Sequence, residues 1–311
     1  MTSPRRRPPG RDGWQALSVL LAGLSVACAG ADDGARPAPP LPEAALTRYA
    51  PDSVRVVPLS RGVHYRYLWS PSGPWAIHMV SADLAQCQLD LRVIPALADD
   101  GVTRIRKAIS EMRPSGQVEV IAGVNGDFFA ADGTPVGPEV TGSTRRVSAR
   151  PALSWGRDRM LRIGPADTET ATVGAALQVI GGFPELLDGG SPVGDLGVAE
   201  RPSFAAARHP RTAVGLDVQS ALLWIVVVDG RQMPHSAGMS LPELTELFQS
   251  LGVDEALNLD GGGSSAMSAG GRIVSRPSDA EGERAVANSL WLVIDEAGCQ
   301  RSRSQASDSP R

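Results

Sequence analysis

The segment from Ser240 to Ser265 reads SLPELTELFQSLGVDEALNLDGGGSS and places a helix, a strand and a glycine loop in immediate succession. Ser240 and Glu243 form a capping-box pair. Pro242 is tolerated in the first turn, where its missing N–H has no intrahelical partner. Leu241, Leu244, Leu247, Phe248 and Leu251 supply an apolar stripe at helical spacing, and Gly252 stops the helix. Ala256 to Leu259 reads as a short buried strand that delivers Asp260-Gly261-Gly262-Gly263-Ser264-Ser265 at its end. Each glycine costs on the order of 1 kcal/mol of extra backbone entropy. A compensating close approach of backbone to ligand is therefore expected, with consecutive N–H groups forming an anion nest. Taken alone, the same loop also reads as a tight turn with Asp260 as an Asx acceptor.

Working outward, Trp75 to Val80 and Cys87 to Ile94 alternate as strands. Val102 to Met112 has helical spacing at Ile105, Ala108, Ile109 and Met112. Gln117 to Val124 is a strand running into Asn125-Gly126-Asp127-Phe128-Phe129. The unbroken apolar run Ala221 to Val228 predicts a central strand buried on both faces. Ser265 to Ile273 reads as a hairpin turning at Gly270-Gly271, and Ala285 to Ile294 as a closing strand. Strands alternate with helices only in part. The expected fold class is therefore mixed α/β (α+β), a single domain with a mixed central sheet flanked by helices.

The ends of the chain read differently. Arg5, Arg6, Arg7 and Arg11 precede the apolar run Ala16 to Val26, too short for a membrane-spanning helix of roughly 20 residues. Residues 1–28 thus read as an export signal, with Cys28 resembling a lipoprotein attachment site. Cys28→Ala is expected to move such a protein from the membrane to the soluble fraction. Residues 29–50 read as a Pro/Ala-rich tether, 51–299 as the folded domain and 300–311 as a disordered tail. With Cys28 assigned to lipid, Cys87 and Cys299 read as a disulfide in an oxidising compartment, either periplasmic, on the outer envelope or outside the cell. The formal charge of −4 over 311 residues argues against a nucleic-acid protein. The four histidines show no i, i+4 pairing and the cysteines lie far apart, so neither a metal site nor a cofactor is expected.

Two further clusters carry polar chemistry. Asn125-Gly126-Asp127 ends a strand, and His209-Pro210-Arg211-Thr212 precedes the central strand. Arginine offers phosphate a planar, permanently charged fork. The string Asn258-Leu259-Asp260-Gly261-Gly262-Gly263-Ser264-Ser265 resembles the signature of the phosphodiester glycosidases. The supporting pieces match in order: Asn125-Gly126 with Phe128-Phe129, Arg145-Arg146-Val147-Ser148, Gly181-Gly182 to Asp188-Gly189, Arg211-Thr212-Ala213-Val214-Gly215, Asp229-Gly230, then Pro277-Ser278-Asp279 and Arg284.

The resemblance implies one pocket with Asp260, Asn125 and Arg211 as catalytic residues. Around the phosphate it would place Arg146, Gly261, Gly262, Gly263, Ser264, Ser265, Arg284 and Asp127. The implied substrate is a small or polymeric glycan phosphodiester. Phosphate is already a good leaving group, so a carboxylate at the anomeric carbon and fixed cations on the phosphate suffice. Arg211→Lys is expected to lose roughly tenfold or more in activity with little change in stability. Two alternatives stay open: a phosphodiesterase using Ser264 as nucleophile, and a non-catalytic lipoprotein that binds phosphoglycans.

Overall fold

The structure is a computed structural model that describes residues 38–142, 144–156, 158–165, 176–196 and 198–299. The basic leader, Cys28 and the tail 300–311 lie outside the described residues. The described residues form three sheets. The first has eight strands in the order β1 (Ser53–Ser60), β2 (Val63–Ser70), β3 (Trp75–Asp83), β14 (Leu222–Val228), β13 (Arg211–Asp217), β15 (Glu255–Asn258), β11 (Glu185–Asp188) and β12 (Ser191–Pro192). The second runs β17 (Arg272–Ile273), β16 (Met267–Ala269), β5 (Glu119–Asn125), β18 (Asn288–Ile294) and β4 (Leu89–Pro95). The third runs β7 (Thr144–Arg146), β6 (Glu139–Thr141), β10 (Ala176–Gly181), β8 (Pro151–Gly156) and β9 (Leu161–Pro165). Helices with described bounds are α1 (Glu43–Tyr49), α2 (Pro202–Ala205) and α3 (Leu241–Ser250), with 3₁₀ turns at Ile109–Glu111 and Gly262–Ser264.

Every strand pairing among the described residues is antiparallel. Strands make up 44% and helices 12% of the structure, which corrects the expected mixed sheet flanked by helices. The reason is connectivity. Antiparallel neighbours close through short turns, whereas parallel neighbours need long crossovers, usually helical. Helix α3 is the one described helix of more than two turns.

The run Leu222–Val228 shows why β14 is apolar throughout. Leu223, Ile225 and Val227 enter a core shared with β4, β5 and β18. Trp224, Val226 and Val228 point the other way, into a core closed by Leu241, Leu244, Leu247 and Phe248 of α3 and by Tyr49 of α1. Alternate residues of one strand therefore feed two cores, each side chain contributing about 1.5–3 kcal/mol on burial. The α3 cap forms as read: Glu243 N–H donates to Ser240 Oγ at 3.2 Å, and Ser240 N–H donates to Glu243 Oε2 at 2.9 Å.

Two segments differ from the sequence reading. Val102–Met112 is not an α-helix but a pair of β-bridges, Arg104 with Leu97 and Lys107 with Val286, ending in the 3₁₀ turn. Ile109 and Met112 still reach a core beside Ala266 and Val286, so the apolar pattern is satisfied without helical hydrogen bonds. The tether expected to extend to residue 50 instead contains α1, whose Tyr49 packs edge-on against Trp75 at 5.5 Å. Cys87 and Cys299 form a disulfide across 212 residues of chain, fastening the end of the domain beside β4. By restricting the unfolded chain, such a link contributes about 2–4 kcal/mol.

Candidate active site

Strand ends from two sheets meet at one seam. β15 leaves the first sheet beside the start of β13, where Leu259 N–H donates to Thr212 O at 2.8 Å. One residue on, Asp260 N–H donates to Gly126 O at 2.9 Å, at the exit of β5 in the second sheet. Asn125 bolts the seam together. Its Nδ2 donates to Asp260 O at 2.7 Å, and its Oδ1 accepts from Thr212 Oγ1 at 2.7 Å and Ala266 N–H at 3.2 Å. Asn125 is fully buried, with its amide turned to these partners, so its geometry is that of a clamp on the Asp260 loop.

A cleft of about 270 Å³ opens beside this seam. Its chemistry-bearing wall holds Asp260, Arg211, Arg231 and Arg284, with Phe128 and Phe204 as apolar faces. Burial pushes the Asp260 carboxyl up to about 6, against the lowering effect of the Ser264 hydroxyl, the Gly261 N–H and the Arg284 charge. At neutral pH this carboxylate is ionised yet poorly solvated, a state suited to nucleophilic or basic work.

Each arginine is held differently. Arg211 is 2% exposed and donates only to backbone carbonyls: Met239 at 2.8 Å, Phe204 at 2.7 Å and Ala207 at 3.1 Å. Burial, helped by the nearby Arg231 charge, lowers its pKa to about 10, so it stays cationic. It forms no ion pair among the described residues, although the Glu243 charge acts on it. Arg231 Nη2 donates to His209 Nδ1 at 3.1 Å, while His209 Nε2–H donates to Ser203 O at 2.7 Å. Burial, with Arg211 and Arg231 adding, depresses the imidazole pKa and keeps this neutral tautomer. Arg284 pairs with Asp279 through two hydrogen bonds of 2.8 and 3.1 Å.

The loops carrying Arg231 and Arg284 are tied to one buried carboxylate. Asp229 Oδ2 meets Nε2 of His78 at 3.1 Å and of His235 at 3.0 Å, and Oδ1 accepts from Arg276 N–H at 2.9 Å. Burial alone would raise Asp229, but these hydrogen bonds outweigh it and its pKa is lowered. Arg231 sits at φ 58°, a conformation costing about 1 kcal/mol or more for a side chain of this size. Its place in the cleft was not read from the sequence; the neighbouring Asp229-Gly230 at the exit of β14 was the available signal. Phe204 and Ser203, from α2, were missed as well, because a four-residue helix leaves no periodic trace.

The triple glycine does not form the expected nest. Gly261 N–H is taken by Asp260 Oδ1 at 2.9 Å and Gly262 N–H by Pro210 O at 2.9 Å. The glycines answer to space and backbone instead. Gly262 has φ +62°, and a Cβ there would stand 3.2 Å from Arg231 Nη2. A Cβ at Gly263 would fall 2.2 Å from Arg284 Nη2 and 2.3 Å from Asp279 Oδ1, so this glycine seats the ion pair.

Gly261 and Gly262 line the cleft; Gly263, Ser264 and Ser265 are buried behind it. Arg146 is not brought to the cleft. It is exposed on β7, opposite Glu139, with its charge felt by Asp132. Asp127 is 1% exposed behind the wall, its Oδ2 accepting from Gly137 N–H at 2.5 Å.

Burial raises the Asp127 carboxyl to about 7, so the folded state binds its proton more tightly than the unfolded chain does. Its contribution to stability is full below about pH 4 and is lost as pH rises through about 7. Asp127→Asn should therefore raise the melting temperature by several degrees at about pH 8 relative to its effect at about pH 5. Thermal melts of both proteins across this range check it; a variant-minus-wild-type difference that ignores pH would contradict a buried, protonated Asp127.

Residues 118–293, more than half of the chain, match the family described as phosphodiester glycosidase, NAGPA. The chain belongs to the phosphodiester glycosidase family. The cleft residues from Phe128 to Arg284 all fall within the matched region. A curated relative, the SPbeta prophage-derived uncharacterized protein YomE of Bacillus subtilis (strain 168), is 40% identical over 85 residues. That match covers 27% of this chain and 13% of the relative, so the chain spans only a small part of it. Among solved structures, a hypothetical protein from Synechocystis superposes with a TM-score of 0.61 at 15% identity, covering 78% of this chain and 64% of that one. The catalytic domain of zebrafish N-acetylglucosamine-1-phosphodiester alpha-N-acetylglucosaminidase, auto-inhibited by its pro-peptide, gives 0.58 at 21% identity, covering 78% and 82%. At these identities the two structures share the fold.

Proposed function

We propose that this chain hydrolyses the glycosidic bond of a sugar-1-phosphodiester. The observation that carries the reading is a poorly solvated carboxylate, Asp260, in a cleft shared with three arginines. Arg211, Arg231 and Arg284 surround the departing phosphate and offset the charge that grows on it. Asp260 serves the anomeric carbon, either by attack or by taking a proton from water. In both cases the C–O bond to phosphate breaks and the oxygen of water ends on the sugar. A carboxylate and a phosphate repel one another, so the two must address different atoms. Ser264 favours this reading over P–O cleavage: its hydroxyl is buried against the Asp260 carboxylate and is absent from the cleft wall. An envelope or extracellular location belongs to the same proposal and rests on the leader and Cys28 of the sequence.

The test is incubation of purified protein with a panel of methyl and benzyl phosphodiesters of sugars differing in identity and anomer. Release of free sugar together with the phosphomonoester is expected for one member at least. Binding without release throughout the panel would leave a phosphoglycan-binding protein in its place.

A further inference from the structure

Next to the cleft, three phenylalanines from separate parts of the chain form a continuous apolar shelf. Phe128 and Phe204 line the cleft and meet edge-on at 6.0 Å. Phe204 stacks on Phe183 at 6.4 Å with the rings 19° apart, and Phe183 lies outside the cleft wall. Two further guanidinium groups sit over Phe183, that of Arg150 at 5.2 Å and that of Arg201 at 5.3 Å from the ring centroid. Arg150 also lies 6.0 Å from the Phe128 ring. Neither guanidinium makes an ion pair or hydrogen bond among the described residues, although the Arg150 charge is felt by the buried Asp127. Arg150, Phe183 and Arg201 come from the β7–β8 connection, the end of β10 and the approach to α2.

A guanidinium packed on a ring face is fixed in orientation while its N–H edges stay free to donate. Two such cations held against one ring repel each other, and a phosphate that binds both relieves that repulsion. We infer that Phe183, Arg150 and Arg201 form a second, anion-binding subsite beside the Phe204 wall of the cleft. It takes the next phosphate of a glycan with repeating phosphodiester links. The inference rests on the proposed hydrolase reading and narrows its substrate class to a polyanionic polymer.

The probes are a synthetic trimer of N-acetylglucosaminyl-1-phosphate repeats and the methyl phosphodiester of the same sugar. With wild-type protein, kcat/KM for the trimer should exceed that for the monomer by roughly tenfold or more, a preference that shrinks with added salt. The double variant Arg150→Ala/Arg201→Ala should abolish this preference through KM while leaving monomer turnover within about twofold. Arg201→Glu should invert it. Equilibrium binding of both probes to Asp260→Asn separates the subsite from the chemistry. Tighter binding of the trimer that depends on Arg150 and Arg201, with no turnover by wild type, would keep the subsite and remove the hydrolase. Equal handling of trimer and monomer by wild type, or a trimer preference untouched in the double variant, would overturn the subsite.

Discussion

Asp260→Asn is expected to lower turnover by about 10³-fold or more while substrate binding and the fold persist, as loss of a principal catalytic group does. The amide is nearly the shape of the carboxylate, and its oxygen can still accept the Gly261 N–H now taken by Oδ1. What it loses is the charge that the proposed mechanism places at the anomeric carbon. In the wild type the same group sets an acidic limb: with its pKa raised to about 6 by burial, activity should fall as pH drops through that value. Hydrolysis in oxygen-18 water reads the bond directly. The label should appear in the anomeric hydroxyl of the released sugar and not in phosphate. Label confined to phosphate would replace the glycosidase with a phosphodiesterase, whatever the kinetics of the asparagine variant.

The second large effect is expected at Arg211. A lysine there keeps the charge but cannot reproduce the three donor contacts to backbone carbonyls that fix the guanidinium beside the cleft. Turnover efficiency should fall by roughly 10²-fold, as when one donor to developing charge is removed. The structure also revises the expectation that stability would hardly change. Nη2 of Arg211 is the donor to the carbonyls of Phe204 and Ala207, joining α2 to the start of β13. Leaving such carbonyls unpaired costs about 1–3 kcal/mol, so the denaturation midpoint should move with the activity. Wild-type efficiency in the lysine variant would remove Arg211 from the phosphate, and an unmoved midpoint would show that the α2 connection does not depend on it.

How much of this was legible in the sequence depends on the distance over which each feature is encoded. The α3 cap, the apolar stripe above Gly252 and the all-apolar β14 are written within a few neighbouring residues, and each forms as read. The ordered set of short motifs was sufficient to indicate the family, because order along the chain survives without knowledge of contacts. Asp260 and Arg211 were found by the same route. Arg146 was grouped with them by order alone, and the register of β7 on β6 left it on the exposed surface instead.

Sequence by itself thus determined the family, the helix over Leu241–Ser250 and the position of the key carboxylate at a strand end. Tertiary structure alone decided the antiparallel wrap of three sheets, the arrival of Arg231 and Phe204 in the cleft, and the use of the glycines. It also made Asn125 a clamp, through a hydrogen bond to Asp260 across 135 residues of chain. The physical reason is that propensity and periodicity act between near neighbours, whereas a cleft is an agreement among distant strand ends. Which charges meet there is set by sheet order and packing, and those are properties of the folded chain as a whole.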